Sequence, residues 1–333
     1  MLADTGMDVT THIQKIIDSN PGRTIYFPDG EYIVSRPITT KGAAMYTVSL
    51  WLSDGAVIRA DKDRWRSSDG LTAIICLGAA DAFQPGANDV VSTGSYYSLQ
   101  GGTIDGSGVA DGVSIDGGRE TLIKNIVIKN TKIGMEIKKG ANGAAESLSG
   151  SSDCDFDDIT IIGNGKEGSI GMYFNYGYDN TITNIRIYDC QTGIHATTGG
   201  CSFRNIHVIR TDAVQFPYEG SVGIIEDREG NYYSHCYVEN YETAYDLWGW
   251  ANIVDSCRAA WTKRLGDQKA FIINRGCHVY LCNVRADFFG SGTNVFFKAT
   301  GGSGGLYAPM LNESLCSDQT YKSYVKDAVI PIK

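Results

Sequence analysis

The feature that most constrains the fold is a short phrase that returns through most of the chain. A small polar residue is followed by apolar residues at alternate positions, and glycine, asparagine or aspartate marks the turns between phrases. The phrases begin at Asn125, Asp158, Asn184, Asn205, Cys236, Cys257 and Cys282. The shortest intervals are about 21 residues, which leaves no room for a crossover helix. Strands repeated at this period predict a parallel β-solenoid, in which each coil contacts only its neighbours.

A second phrase follows the first and has the period-two alternation of a strand with one buried face. The members predicted to face inward are Val113, Ile115, Met135, Ile137, Met172, Phe174, Ile194, Ala196, Tyr245, Leu247, Phe271 and Ile273. The members predicted to face outward are Ser114, Asp116, Glu136, Lys138, Tyr173, Asn175, His195, Thr197, Asp246, Trp248, Ile272 and Asn274. In residues 222–228 the register stays open, because either Glu226 or Asp227 can face outward.

Composition fits a long, turn-rich, folded chain. The 333 residues include 40 glycines and only 7 prolines, and 42% of the chain is hydrophobic. The net charge of −9 and the absence of any basic run argue against a nucleic-acid partner. No apolar stretch is long enough to predict membrane insertion, and the first residues lack the pattern of a signal peptide.

Cysteine and aspartate clusters raise the question of metals. The nine cysteines are odd in number and lack CxxC pairs, so we expect reduced thiols. Cys236, Cys257 and Cys282 are predicted to stack along an interior turn in line with a ladder of Asn and Asp residues, with a soft-metal site as the alternative. The acidic segment 152–158 leaves Ca²⁺ open as an alternative. We otherwise predict no cofactor.

The opening of the chain carries a resemblance to a known family. A helix over Asp8–Asp18, with an apolar stripe of Ile13, Ile16 and Ile17, precedes the strand-turn phrase that begins Thr24-Ile-Tyr-Phe-Pro-Asp-Gly. Together with the repeats, this opening resembles the pectin-lyase-like superfamily, and in particular its pectate-lyase-3-like group. The resemblance implies an all-β, single-domain, right-handed parallel β-helix of about ten coils. We expect a capping segment at 1–23, the β-helix at 24–305 and an irregular tail at 306–333.

The same resemblance implies a substrate groove over the outward positions of one stacked sheet. The candidate catalytic residues there are Glu136, Tyr173, His195, Asp227 and Asp246. The candidate substrate-binding residues are Lys138, Asn175, Tyr218, Glu219, Arg228, Trp248 and Arg275. Glycoside cleavage needs two carboxyl groups ~5–9.5 Å apart, and strands one or two coils apart at ~4.8 Å each provide that separation.

These residues predict a carbohydrate-active enzyme that cleaves an oligo- or polysaccharide. Hydrolysis is favoured over β-elimination because the chain is acidic overall and suits a neutral glycan. The motifs of polygalacturonases and pectate lyases are not found in the sequence. The alternatives are a non-catalytic glycan-binding protein or a tailspike-like adhesin, which would be a homo-oligomer and, if tailspike-like, a trimer. A purely structural solenoid is a third reading. The source is expected to be bacterial or phage, and the compartment stays open between extracellular and cytoplasmic.

Overall fold

The computed structural model describes residues 3–40, 48–68, 70–78, 96–116, 118–138, 151–274, 278–299 and 306–307. In this part of the chain a single helix, α1, spans Thr10–Asp18. The strands are β1 Thr24–Phe27, β2 Gly30–Val34, β3 Ile38–Thr40, β4 Ser49–Leu52, β5 Ala56–Ala60, β6 Ala73–Leu77, β7 Ser98–Gln100, β8 Thr103–Asp105, β9 Asp111–Asp116, β10 Leu122–Thr131, β11 Ile133–Lys138, β12 Asp155–Gly163, β13 Ile170–Phe174, β14 Thr181–Tyr188, β15 Thr192–Ala196, β16 Ser202–Ile209, β17 Val222–Glu226, β18 Tyr232–Ser234, β19 Tyr237–Glu239, β20 Thr243–Leu247, β21 Trp250–Asp255, β22 Arg258–Ala260, β23 Gln268–Ile273, β24 His278–Cys282, β25 Arg285–Asp287, β26 Asn294–Ala299 and β27 Leu306–Tyr307.

The strands form two parallel sheets that wrap around one core. The ten-stranded sheet has the order β3-β6-β9-β11-β13-β15-β17-β20-β23-β26, so each strand pairs with the corresponding strands of the coils before and after it. The other sheet has seventeen strands, and its long members β10, β12, β14 and β16 span two ladders of pairing. The chain is therefore a parallel β-helix, as the repeats predict. Strand β27 pairs with β24, so the segment predicted as a tail begins with a further strand.

The bend between the two ladders explains the first repeated phrase. Asn125, Asp158, Asn184 and Asn205 all have φ between 51° and 56°, the left-handed region that asparagine and aspartate tolerate better than most residues. Their side chains are exposed, and Asn205 donates to Asn184 at 2.8 Å. The prediction that these residues form an interior ladder was therefore wrong, because a left-handed residue turns the strand and points its side chain outward.

The cysteines predicted to continue this ladder lie beside it. The left-handed positions are instead His235, Ser256 and Asn283. Cys236 and Cys257 come one residue later, and both are buried; the Cys236 N–H donates to Cys257 Sγ at 3.4 Å. Cys282 lies opposite Asp255 and is not in this stack, so its predicted alignment was wrong. The seven described cysteines are free thiols.

A different column supplies the interior asparagines. Asn180, Asn231 and Asn252 are each 1% exposed or less. Asn180 and Asn231 directly precede β14 and β18, and Asn252 lies near the start of β21. The side-chain carbonyl of Asn231 accepts the Cys201 N–H at 2.9 Å, and that of Asn252 accepts the Asn231 N–H at 2.8 Å. They satisfy backbone donors that the turn would otherwise leave buried and unpaired.

The core confirms the predicted alternation. Every residue predicted to face inward is at most 4% exposed. Aromatic rings continue from coil to coil, with Phe203 stacked on Tyr233 at 4.7 Å and in edge contact with Phe174 at 5.4 Å. Three residues predicted to face outward, Ser114, Asp116 and Asn274, are nevertheless 1%, 7% and 8% exposed. The outer side of the sheet is therefore more accessible between β9 and β23 than at these two strands.

Glycine recurs at one step of the ten-stranded sheet because adjacent coils approach there by their backbones. A Cβ on Gly171 would lie 2.5 Å from the Gly193 carbonyl oxygen, and a Cβ on Gly193 would lie 2.5 Å from that of Gly223. Contacts this short do not occur for real Cβ atoms. Each coil thus needs glycine at this position to keep the spacing of the next.

Helix α1 covers the N-terminal end of the core. Ile13 and Ile17 are 2% exposed, whereas Ile16 is 40% exposed. The predicted cap is therefore present, but Ile16 was wrongly included in its buried stripe. Across the described residues, no helix is long and apolar enough to cross a membrane.

We expect Phe203→Ala to lower the free energy of unfolding by about 3–5 kcal/mol, since it removes a fully buried ring between two aromatic neighbours. Urea unfolding followed by circular dichroism measures the loss. Phe289→Ala is the matched control, because its ring is 48% exposed, and we expect a change below about 1 kcal/mol. Equal losses in the two variants would contradict the proposed stacking of the core.

Candidate functional site

The candidate site lies on the outer face of the ten-stranded sheet, where two columns of side chains run parallel to the helix axis. The first column contains Glu136, Tyr173, His195, Ile225 and Asp246 on successive strands. The second column lies two residues farther along each strand and contains Lys138, Asn175, Thr197, Asp227, Trp248 and Asn274. The face therefore brings together most of the residues predicted from the sequence. The open register of β17 is settled, because Asp227 faces outward and Glu226 faces inward.

Three of these side chains form a connected cluster. His195 Nε2 lies 2.7 Å from Asp227 Oδ2, and the imidazole stacks on the Tyr173 ring with centroids 5.1 Å apart. Burial raises the pKa of Tyr173, and the charges of Glu136 and Asp227 raise it further. Tyr173 is consequently a neutral phenol at neutral pH, with carboxylates on both sides of it.

Glu136 lies at the start of the cluster and is held by a cation. Lys138 Nζ is 3.3 Å from Glu136 Oε2, and Asn175 Nδ2 is 3.5 Å from Glu136 Oε1. Glu136 is three strands away from Asp227 and offset by two residues along the strand, a backbone separation of about 16 Å at ~4.8 Å per strand and ~3.3 Å per residue. This separation exceeds the distance that a pair of glycosidase carboxylates requires.

Asp227 and Asp246 are closer neighbours. They lie on adjacent strands and are offset by two residues along the strand, which places their Cα atoms about 8 Å apart. Asp246 Oδ1 accepts a hydrogen bond from Asn274 Nδ2 at 2.6 Å. Asp227 Oδ2 is held in a similar way by His195 Nε2 at 2.7 Å. Each carboxylate is thus oriented by one side chain, and its second oxygen has no partner among the described residues.

An exposed tryptophan adjoins the two aspartates. Trp248 follows Asp227 in the second column and is 53% exposed, and nearby Trp250 is 55% exposed. Flat aromatic surfaces next to polar groups are well suited to contact sugar rings, which have apolar faces. The Arg228 guanidinium lies over the Tyr176 ring, 5.9 Å from its centroid.

Two of the predicted binding residues lie elsewhere. Tyr218 is 6% exposed, and its hydroxyl donates to the Asp267 carbonyl at 2.7 Å and accepts from Trp261 Nε1 at 3.1 Å. It anchors the segment before β17, at the opposite end of the strand from Asp227, so its predicted role as an exposed sugar platform was wrong. Glu219 is exposed in the same segment and away from the two columns. Arg275 lies outside the described residues.

Sequence reasoning did not assign a role to Glu226, which is fully buried under the exposed face. Burial raises its pKa, whereas hydrogen bonds from Arg228, Asn231 and Gly249 favour the ionised form and oppose the shift. The sequence does show that Glu226 directly precedes Asp227 in a strand where apolar residues alternate with variable ones. This signal was ambiguous, because with two adjacent acidic residues either one can be the outward residue of the strand.

Metal binding finds no support in the described ranges. No three His, Cys, Asp or Glu side chains converge there as they would around an ion. In the acidic segment considered for Ca²⁺, Asp153 is paired with Arg119 and Asp157 accepts a hydrogen bond from Asn184. The described side chains of the site can transfer protons and form hydrogen bonds.

The sequence matches no family model, and no curated protein is similar to it. Solved structures do match. An alginate lyase from Paenibacillus has a TM-score of 0.61 at 14% identity, with 88% of this chain and 97% of that chain covered. The gp42 tailspike of an Acinetobacter phage has a TM-score of 0.60 at 12% identity, with 96% and 65% covered. The ORF18 protein of Geobacillus virus E2 has a TM-score of 0.59 at 14% identity, with 93% and 60% covered.

This chain spans less than two thirds of the length of the two viral structures. At these identities the likeness concerns the fold, which agrees with the parallel pairing and the stacked columns described above. The chain has the fold of a right-handed parallel β-helix.

Proposed function

We propose that this protein is a carbohydrate-active enzyme that hydrolyses a glycosidic bond of an oligo- or polysaccharide bound across the exposed columns. The observation that carries the proposal is the pair Asp227 and Asp246, each oriented by one donor and each with an oxygen that has no partner in the described part of the chain. The pair adjoins the exposed ring of Trp248. The structural similarity to an alginate lyase is consistent with a polysaccharide substrate.

The spacing of the pair favours direct attack by water. Inverting glycosidases hold their two carboxyl groups ~6.5–9.5 Å apart, which leaves room for a water molecule beside the sugar. Asp227 and Asp246 have backbones about 8 Å apart, which is compatible with that range. One carboxyl group protonates the leaving oxygen while the other removes a proton from water. His195 and Asn274 keep the two groups in place.

The charge of the face favours a neutral glycan. Glu136, Asp227 and Asp246 are acidic, whereas the described cations there are Lys138 and Arg228. Lys138 is paired with Glu136, and Arg228 lies over an aromatic ring. A polyuronate would therefore meet an excess of negative charge, and neither of the described cations is unengaged to offset it.

One observation favours a second candidate, β-elimination. The imidazole of His195 is oriented by Asp227 and stacked on the neutral phenol of Tyr173, which is an arrangement of a base and an acid side by side. A lyase would use them to remove a proton beside a uronate carboxylate and to protonate the leaving oxygen. The products distinguish the two candidates, since only elimination creates an unsaturated uronate.

The first test asks which polysaccharide is cleaved and how. Each member of a panel of neutral and acidic glycans is incubated with the protein, and reducing ends and ultraviolet absorbance of unsaturated uronates are measured. We expect reducing ends without absorbance. A glycan that binds but yields neither product would favour the tailspike-like adhesin, and sedimentation would then show whether the chain is a trimer.

For a cleaved glycan, we expect Asp227→Asn and Asp246→Asn each to lower kcat by about 10²–10⁴-fold while Kd changes little, because an amide cannot transfer the proton. Asp157→Asn is the matched control, since that carboxylate is also held by one asparagine but lies on the other sheet. We expect wild-type kcat for it. Wild-type kcat in both site variants would remove Asp227 and Asp246 from the mechanism.

His195→Gln separates the two candidate reactions further. In a hydrolase it disturbs only the orientation of Asp227, and we expect a loss of about 10-fold in kcat; in a lyase it removes the base, with a loss of about 10²–10⁴-fold. His207→Gln is the control, because His207 also stacks on a tyrosine and lies 4.0 Å from Glu239, but on the larger sheet.

Trp248→Ala should weaken glycan binding by about 10-fold or more, since the variant loses the exposed ring that is proposed to contact a sugar. Isothermal titration calorimetry with the cleaved glycan and an inactive Asp246→Asn background measures Kd. Trp51→Ala is the control, because Trp51 is similarly exposed at 50% but lies on the larger sheet. Equal affinities for the two variants would place the sugar elsewhere.

A further inference from the structure

Glu226 is a carboxylate in a column that otherwise points apolar side chains into the core. On the adjacent strands its neighbours in register are Ala196 and Leu247, and all three are fully buried. A buried charge is costly unless hydrogen bonds replace its hydration. The contacts of Glu226 therefore show what the residue does.

Four donors converge on this one carboxylate. Oε1 accepts the Arg228 N–H at 2.6 Å and Asn231 Nδ2 at 3.0 Å. Oε2 accepts the Gly249 N–H at 3.0 Å and also Asn252 Nδ2. A carboxylate has about four lone-pair sites, so no site is left for a substrate. Glu226 consequently cannot be a catalytic residue.

The donors belong to two turns on successive coils. Arg228 and Asn231 lie in the turn after β17, and Gly249 and Asn252 lie in and after the turn that follows β20. The turns touch through their backbones, since a Cβ on Gly249 would lie 1.4 Å from the Arg228 carbonyl oxygen. No larger residue fits at this crossing, and a single carboxylate ties both turns together from the core side.

These two turns carry the site. Asp227 lies between Glu226 and Arg228 in the chain, and Trp248 immediately precedes Gly249. The Trp248 N–H donates to the main-chain carbonyl of Glu226 at 2.7 Å. Any shift of the two turns would therefore move the exposed carboxylate and the exposed ring relative to each other.

We propose that Glu226 is a positioning residue that clamps the turns at 227–231 and 248–252 and so holds Asp227 and Trp248 in register on the exposed face. The consequence for cleavage rests on the proposed function, whereas the clamp itself does not. The column of interior asparagines extends this clamp to the preceding coil. Asn252 Oδ1 accepts the Asn231 N–H, and Asn231 Nδ2 donates to the Thr198 carbonyl.

The test is Glu226→Gln, which keeps the shape but replaces one acceptor oxygen with an amide group that faces N–H donors. We expect hydrogen exchange of the Arg228 and Gly249 amides, measured by NMR, to become at least 10-fold faster. For a cleaved glycan, we expect kcat to fall at least 10-fold. Adding Asn252→Asp supplies an acceptor to the new amide, and the double variant should recover part of both losses.

Gln268→Met is the matched control for the clamp. Gln268 is also fully buried on the same sheet, and its side chain makes two hydrogen bonds to the backbone of Phe289, at the other end of the strands. We expect this variant to lose stability while leaving exchange at Arg228 and Gly249, and kcat, as in the wild type.

The outcomes separate the clamp from the proposed function. Wild-type exchange at both amides in Glu226→Gln, with a loss of stability like that of the control, would overturn the clamp. Faster exchange in a protein that cleaves no glycan would support the clamp and refute the proposed function. Should Glu226→Gln not fold, Asn252→Ala is used instead, because it removes one of the four donors. Faster exchange at the same two amides would support the clamp, and wild-type exchange would overturn it.

Discussion

Parallel hydrogen bonding between successive coils, at a spacing of ~4.8 Å, is the interaction on which the rest of the structure depends. It is continuous across the ten-stranded sheet, and the close approach of Gly171 and Gly193 to the carbonyls of the next coil shows how little space it leaves. Once the backbone is fixed in this way, every side-chain position becomes a column along the axis. Inward columns form the core, and outward columns form a surface on which residues distant in sequence become neighbours.

Such a scaffold must also satisfy polar groups at its turns. Left-handed asparagines on the outside, such as Asn184 and Asn205, bend the larger sheet at a small steric cost. Buried asparagines such as Asn231 and Asn252 accept backbone N–H groups inside. Glu226 uses the same interior network, and the exposed site is built directly on top of it. The polar interior and the candidate site are therefore parts of one arrangement.

The candidate site also shows why position matters more than residue type on a solenoid. His195 and His207 lie on the same coil, and each stacks on a tyrosine and approaches a carboxylate. The first group borders a face that carries the carboxylates of Asp227 and Asp246, each held by one side chain, and the exposed ring of Trp248. In the second, Arg258 lies over the ring of Tyr237 and the imidazole is half-buried, so burial lowers the pKa of His207. The two groups share components but differ in what surrounds them.

The sequence by itself determined the β-helix, the inward columns and the face that carries Glu136, Tyr173, His195 and Asp246, because alternation with period two records which side of a strand is buried. Only the tertiary structure decided the rest. Three features depend on backbone turns: the register of Asp227, the burial of Tyr218 and the outward direction of the Asn and Asp side chains that were predicted to face inward. One left-handed residue reverses the direction of a side chain, and the pattern of apolar residues does not record φ. The pairing of Asp227 with His195 likewise depends on how closely separate coils stack, which is a property of the folded chain.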